Sequence, residues 1–161
     1  LCFKLARDFS CDFLQLDSVV GHVKPRDEAT LDAFFALERP TCDALVLGGV
    51  RFKYQPVLSE HTVEEDIETA KGRCDAICVT GDGTGMEAPI DKIRRFKLAC
   101  GDTPLIICSG VNVDNCAEQL AVADGAVVGS FFKDTGHDTG DVSAEKIELL
   151  MQQVRALRGT L

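Results

Sequence analysis

The chain has 161 residues, 45% hydrophobic and 27% charged, with a formal charge of −9 at pH 7. That composition excludes a disordered chain, and no apolar run approaches the ~20 residues needed to cross a bilayer. With 17 basic residues against 26 acidic ones, DNA, RNA and anionic membrane are poor main partners, because such binding leans on Lys and Arg to neutralise phosphates.

Residues 1–9 read as a helix without the element before it. Cys11-Asp12 then leads into the apolar run 13–16. A helix follows over 28–38, carrying Ala29, Leu31, Phe34, Phe35 and Leu37. Cys42-Asp43 leads into the run 44–48. Thr62 is an N-cap and Glu65 completes a capping box, with Val63, Ile67 and Ala70 as the apolar face. Cys74-Asp75 leads into 76–81. Pro89 opens a helix in its first turn, continued by Ile90, Ile93 and Phe96. Asp102-Thr103-Pro104 leads into 105–108, and Asn112 caps a helix to about Leu120. Ala123-Asp124-Gly125 leads into 126–129. Ser143 caps a last helix, where Ile147, Leu150, Met151, Val154 and Leu157 repeat at helical spacing.

Short, nearly continuous apolar runs suit strands buried on both faces, as in parallel sheets. Five βα units in strict alternation predict an α/β fold with a parallel sheet and right-handed crossovers. Two architectures fit: an open parallel α/β sheet and a (β/α)8 TIM-type barrel. A whole barrel needs about 250 residues. Residues 1–161 therefore read as a single α/β domain, either an open sheet or the C-terminal part of a barrel. The eight cysteines show no C-x-x-C pair, and His22, His61 and His137 stand near none of them in sequence. They read as reduced, mostly buried thiols of an intracellular, cytoplasmic protein.

In either architecture, chemistry gathers at the C-terminal ends of the strands. After the first run comes Asp17, a base or ligand, or simply a loop or helix-cap carboxylate; His22 nearby reads as an ordinary loop residue. Lys53, after the second run, can bind an anion or polarise a carbonyl. After the third comes Thr80-Gly81-Asp82-Gly83-Thr84-Gly85, the sharpest motif, whose glycines let backbone N–H groups approach a ligand. Ser109-Gly110 after the fourth run and Gly129-Ser130, with Lys133, after the fifth suggest a phosphate site. Asn115 reads as an early-helix residue. No transition-metal pattern stands out and no cofactor is evident, although a Mg²⁺ held through a ligand phosphate by Asp17 or Asp82 is compatible with the sequence.

Residues 75–85 resemble the BtpA/SgcQ family, whose corresponding run reads Asp-Ala-x-Ile-Val-Thr-Gly-x-x-Thr-Gly. Residues 104–115, with Ser109-Gly110-Val111 and Asn115, are similar to its Val-Gly-Ser-Gly-Val-x-x-x-Asn-Val run. Residues 123–130 and Lys133 are similar to its Ala-Asp-Gly-x-Ile-Val-Gly-Thr/Ser-x-x-Lys run. The clear match covers about 43–158. The resemblance implies a (β/α)8 barrel, of which this chain supplies strands 4–8, with about 100 residues for strands 1–3 lying outside it. It also implies binding of a small phosphorylated metabolite, of sugar or nucleotide type. Ser109, Gly110, Gly129, Ser130 and Lys133 would hold phosphate, and Gly81, Thr84 and Gly85 would line the pocket. Asp17 and Asp82 are the candidate acid/base groups and Lys53 the electrophilic stabiliser. Three positions depart from the family: Gly49 stands for an acidic residue, Tyr54 for a histidine and Ser143 for Asp. These departures keep a second reading open, a non-catalytic assembly or stability factor like members linked to photosystem I biogenesis. A homo-oligomer is compatible with both.

Overall fold

The computed structural model describes residues 1–20, 27–58 and 60–159; His22 lies outside the described residues. In chain order the elements are α1 (Cys2–Asp8), β1 (Phe13–Leu16), α2 (Glu28–Glu38), β2 (Leu45–Gly49), α3 (Val63–Lys71), β3 (Ala76–Val79), α4 (Ile90–Cys100), β4 (Leu105–Ile107), α5 (Cys116–Leu120), β5 (Gly125–Ala126) and α6 (Ala144–Gly159). Short 3₁₀ turns cover Arg39–Thr41 and Ser130–Phe132.

All pairings are parallel and the strand order is sequential, β1-β2-β3-β4-β5. A doubly wound sheet reverses its strand order at a switch point. A sequential order with right-handed crossovers keeps every helix on one face, as in a barrel wall. Register links Phe13 to Leu45, Leu47 to Ala76, Ile77 to Leu105 and Ile106 to Gly125.

The core lies between the helices and the outer face of this arc. Val46, Ile77, Val79, Leu105 and Ile107 pack there with Ile67, Ile93 and Phe96, all at most 1% exposed. The inner face carries a smaller cluster of Phe52, Cys78 and Cys108, with Leu47 and Ile106 partly covered. Burial on both faces, expected from the apolar runs, therefore holds for β3 but not for β1 and β2. Phe13 is 58% exposed and Leu45 is 55% exposed, because no described residue packs over that end of the inner face.

The Asp that precedes several strands is a structural latch. Asp75 accepts a hydrogen bond from the Val46 N–H at 2.7 Å and both arms of Arg39 at 2.7 and 2.6 Å. Asp124 repeats the device two strands on, accepting from the Leu105 N–H at 2.8 Å and Lys97 at 2.7 Å. Each carboxylate ties the start of the preceding strand to a cation. The Arg39 guanidinium, aided by the Val46 N–H, holds the Asp75 carboxyl below its ordinary 3.8 despite partial burial. Its stabilisation is whole above pH 3.8 and fades as pH falls through the lower folded value. Asp75→Asn is thus expected to flatten the acid limb of stability, measured by urea unfolding from about pH 2 to pH 6. An unchanged slope would remove the latch from the account.

Helix starts follow their caps. Thr62 and Glu65 form the capping box expected, and Ser143 accepts from the Lys146 N–H at 3.3 Å. Asp27 caps α2 by accepting from the Thr30 N–H at 3.1 Å. Pro89 sits at the N-cap of α4, just before its first turn. The helix expected from Asn112 begins later, at Cys116, because the Asn112 carboxamide accepts from the N–H groups of Asp114 and Asn115 and makes a turn instead. The run expected at 126–129 is paired only at Gly125–Ala126, although the Val127 N–H still reaches the Ile107 carbonyl at 2.8 Å. All eight cysteines are free thiols. Five are buried, while Cys2 and Cys11 are exposed because they lie on α1 and the turn before the edge strand β1. No helix among the described residues is long and apolar enough to cross a membrane.

Candidate functional site

The C-terminal strand ends open onto two clefts that share Lys53. The first, about 240 Å³, is lined by Lys53, Thr84, Gly85, Ser109, Gly110, Gly129 and Ser130. The second, about 480 Å³, is lined by Lys53, Tyr54, Gly81, Asp82 and Lys92, together with Arg51 and Arg95.

The loop after β3 lines both and is held at several points. The Gly81 N–H donates to Ser109 Oγ at 2.7 Å. Buried Thr80 accepts from the Lys53 N–H at 2.7 Å through Oγ1, and its carbonyl accepts from Lys92 Nζ at 2.7 Å. The Tyr54 N–H donates to the Asp82 carbonyl at 3.3 Å, and the Tyr54 phenol oxygen accepts from the Thr84 N–H at 2.7 Å. Tyr54 is clamped at both ends although its ring is largely exposed. Its φ of 61° lies in the left-handed region, which is strained for a bulky residue. The Thr84 contact and nearby Lys53 lower the pKa of the phenol.

The β4 loop is equally built. Asn115, at the N-cap of α5, accepts from the Asn112 N–H at 2.9 Å and donates to the Gly110 carbonyl at 3.0 Å. Buried Gln119 donates to Glu87 at 2.9 Å and so pins the 86–88 segment beside Gly110. Both side chains build the loop rather than face the cleft.

Sequence reasoning named eleven candidate residues. The first cleft gathers Lys53, Thr84, Gly85, Ser109, Gly110, Gly129 and Ser130. The second gathers Gly81 and Asp82 with Lys53 again. Asp17 and Lys133 lie outside both linings. Among the described residues, the exposed Asp17 carboxylate accepts from Gln15 Nε2 at 3.4 Å. The Lys133 backbone pairs with Val142, and its carbonyl accepts from Lys146 Nζ at 2.6 Å. Gly49 is tightly enclosed: a Cβ there would stand under 3.0 Å from the Asp17 carbonyl carbon and oxygen. No acidic side chain fits that position in this backbone.

Lys92 was missed. It sits in the first turn of α4, and helical periodicity alone says nothing of which strand end a first-turn lysine reaches. Burial pulls its ammonium below the ordinary lysine value, while Asp82 opposes the shift. Cys108 lines the first cleft, but contact with Cys108 and burial push the Cys78 thiol far upward. Cys78 therefore has the character of a core thiol rather than a nucleophile. Among the described residues, no three His, Cys, Asp or Glu side chains stand together to hold a metal ion.

The BtpA family model matches residues 28–156. This chain belongs to the BtpA family. An uncharacterized protein of Pyrococcus abyssi is 32% identical over 114 residues, covering 71% of this chain and 44% of that protein. The sgc region protein SgcQ of Escherichia coli is 32% identical over 84 residues, covering 52% of this chain and 31% of SgcQ. The chain thus spans less than half the length of these BtpA relatives. Thiamine phosphate pyrophosphorylase from Pyrococcus furiosus superposes with a TM-score of 0.60 at 16% identity, over 96% of this chain and 65% of that one. Phosphoribosyl anthranilate isomerase from Thermus thermophilus gives 0.62 at 18% identity, over 97% and 66%. At these identities the likeness speaks for fold: the five-stranded arc is of the TIM-barrel type.

Proposed function

We propose that this BtpA-family protein binds a small phosphorylated metabolite, of sugar or nucleotide type, at its C-terminal strand ends and acts on it by acid–base chemistry. One observation carries the reading. Three loops made separately by the chain, at Thr84-Gly85, Ser109-Gly110 and Gly129-Ser130, surround one cleft with Lys53 in its lining. Small residues let main-chain N–H groups and hydroxyls reach phosphate oxygens. Barrels often hold phosphate with the loops after their last two strands. The structural neighbours lend support, since two are named for a phosphorylated compound.

In this reading Ser109, Gly110, Gly129 and Ser130 hold the phosphate, while Gly81, Thr84 and Gly85 shape the pocket. Lys53 stabilises developing negative charge and Asp82 moves the proton. Asp17 and Lys133 carry little of it. The uncovered inner face at Phe13 and Leu45 supports taking these strands as the last five of eight. A phosphate-containing ligand at 100 times its Kd then stabilises the full-length protein by about 2.7 kcal/mol. A thermal-shift screen across sugar phosphates and nucleotides checks this, and a flat result overturns the reading. The bare Gly49 favours a second reading, in which the barrel is an assembly or stability factor without turnover. That reading requires a co-purifying partner, and a preparation that returns this protein alone counts against it.

A further inference from the structure

The larger cleft has a charge problem that its surroundings do not solve. Several cations of this chain, buried or not, meet carboxylates. Arg73 meets Glu28 and Asp32 at 2.7 Å each, and Arg39 meets Asp75 at 2.6 Å. In the cleft lining the same holds for Arg51, 2.8 Å from Asp66, and Arg95, 2.8 Å from Glu64. It does not hold for Lys53 and Lys92. Among the described residues neither has a carboxylate oxygen within 4.0 Å. Lys92 is half-buried, yet among the described residues it donates to one acceptor, the Thr80 carbonyl. An ammonium has three N–H groups, so two are left for something else. Aromatic rings lie near both charges: Phe96 at 5.8 Å from Lys92 Nζ and Phe52 at 5.4 Å from Lys53 Nζ. These contacts favour the cationic form without neutralising it. Against these two unmatched ammoniums the lining holds a single carboxylate, Asp82. The cleft is therefore cationic in a chain of net charge −9.

We propose that the larger cleft is a second anion subsite, where Lys92 and Lys53 take a carboxylate or second phosphate at the far end of the same ligand. The inference rests on the phosphate reading above and narrows its ligand to metabolites with two anionic ends. Lys53 lines both clefts, so a ligand seated at Gly129 and Ser130 extends past it toward Lys92. An incoming anion occupies the unused donors of Lys92 and removes the cost of a half-buried, unmatched charge. Asp82 stands in the same cleft, beside the stretch of ligand between the two anchors, where a proton-transfer group belongs.

Calorimetry on the full-length protein tests this with three probes. Glycerol 1-phosphate has one anionic end, 3-phosphoglycerate adds a carboxylate, and fructose 1,6-bisphosphate adds a phosphate. The two-ended probes are expected to bind about 10-fold tighter or better. Lys92→Met should erase that gain and leave glycerol 1-phosphate unchanged, while Lys92→Arg should keep it. Whichever two-ended probe gains more identifies the second anion. Equal binding of one- and two-ended probes overturns the subsite and leaves the phosphate site standing. Two-ended binding that depends on Lys92 but ignores Gly129→Asp upholds the subsite and overturns the phosphate reading. No binding of any probe overturns both. Urea unfolding of Lys92→Met guards the comparison, and a folded variant that keeps the full gain refutes the role of Lys92.

Discussion

Gly110→Ala is expected to destabilise the protein by about 3 kcal/mol or more. Two independent costs add at this position. Its φ of +70° lies in the left-handed region, where a Cβ is strained. The added carbon would also stand under 3.0 Å from backbone atoms of Met86 and Glu87. Backbone cannot rotate away as a side-chain tip can, and both walls are tied. Asn115 holds the Gly110 carbonyl at 3.0 Å, and Gln119 holds Glu87 at 2.9 Å. Moving either wall breaks a hydrogen bond from a buried donor, which itself costs about 1–3 kcal/mol. Urea unfolding measures the effect through the midpoint at constant slope. A variant within about 0.5 kcal/mol of the parent would mean that the loop yields and the cleft is not preorganised there.

Gly129→Asp should do the opposite: keep the fold and abolish phosphate binding. A Cβ at Gly129 meets no atom within 4 Å, and its φ of −124° is outside the left-handed region. The new carboxylate would stand in the lining of the cleft proposed for phosphate. At about 5 Å and an effective dielectric near 20, like charges repel by about 3 kcal/mol, roughly a 100-fold loss of affinity. Calorimetry with a phosphorylated ligand reads the loss, and an unchanged unfolding midpoint shows that it is local. Undiminished binding in a folded Gly129→Asp protein would move the phosphate elsewhere. Together the two glycines separate what the loops need in order to stand from what they need in order to bind.

Much of the wall was legible because its signals are local. Thr62 with Glu65 announces a helix start, and the apolar runs at 76–81 and 105–108 read as strands from their β-branched content and flanking Gly. The structure has that helix start, and strands at the head of both runs, over Ala76–Val79 and Leu105–Ile107. Local signals also misled where two of them competed. Asn112 has the chemistry of an N-cap, but Asn115 three residues on has it too, and the pair resolves into a turn followed by a later cap. The Asp repeat was visible before each strand, yet its meaning was not. Asp75 and Asp124 act on Val46 and Leu105, 29 and 19 residues earlier, and no spacing rule carries that far.

By itself, the sequence determined the alternation of strand and helix, the parallel sheet, and the Gly- and Ser-rich loops that had to fall on one rim. Backbone propensity, capping chemistry and apolar periodicity act within a few residues of one another, so they can be read along the chain. Only the tertiary structure decided which loops share a cleft. It placed Asp17 and Lys133 outside, brought Lys92 from a helix to the Thr80 carbonyl, and closed Gly49 to any side chain. Each of those outcomes depends on strand register and on helices crossing the sheet. A shift of one residue in either turns a side chain from the cleft to the core.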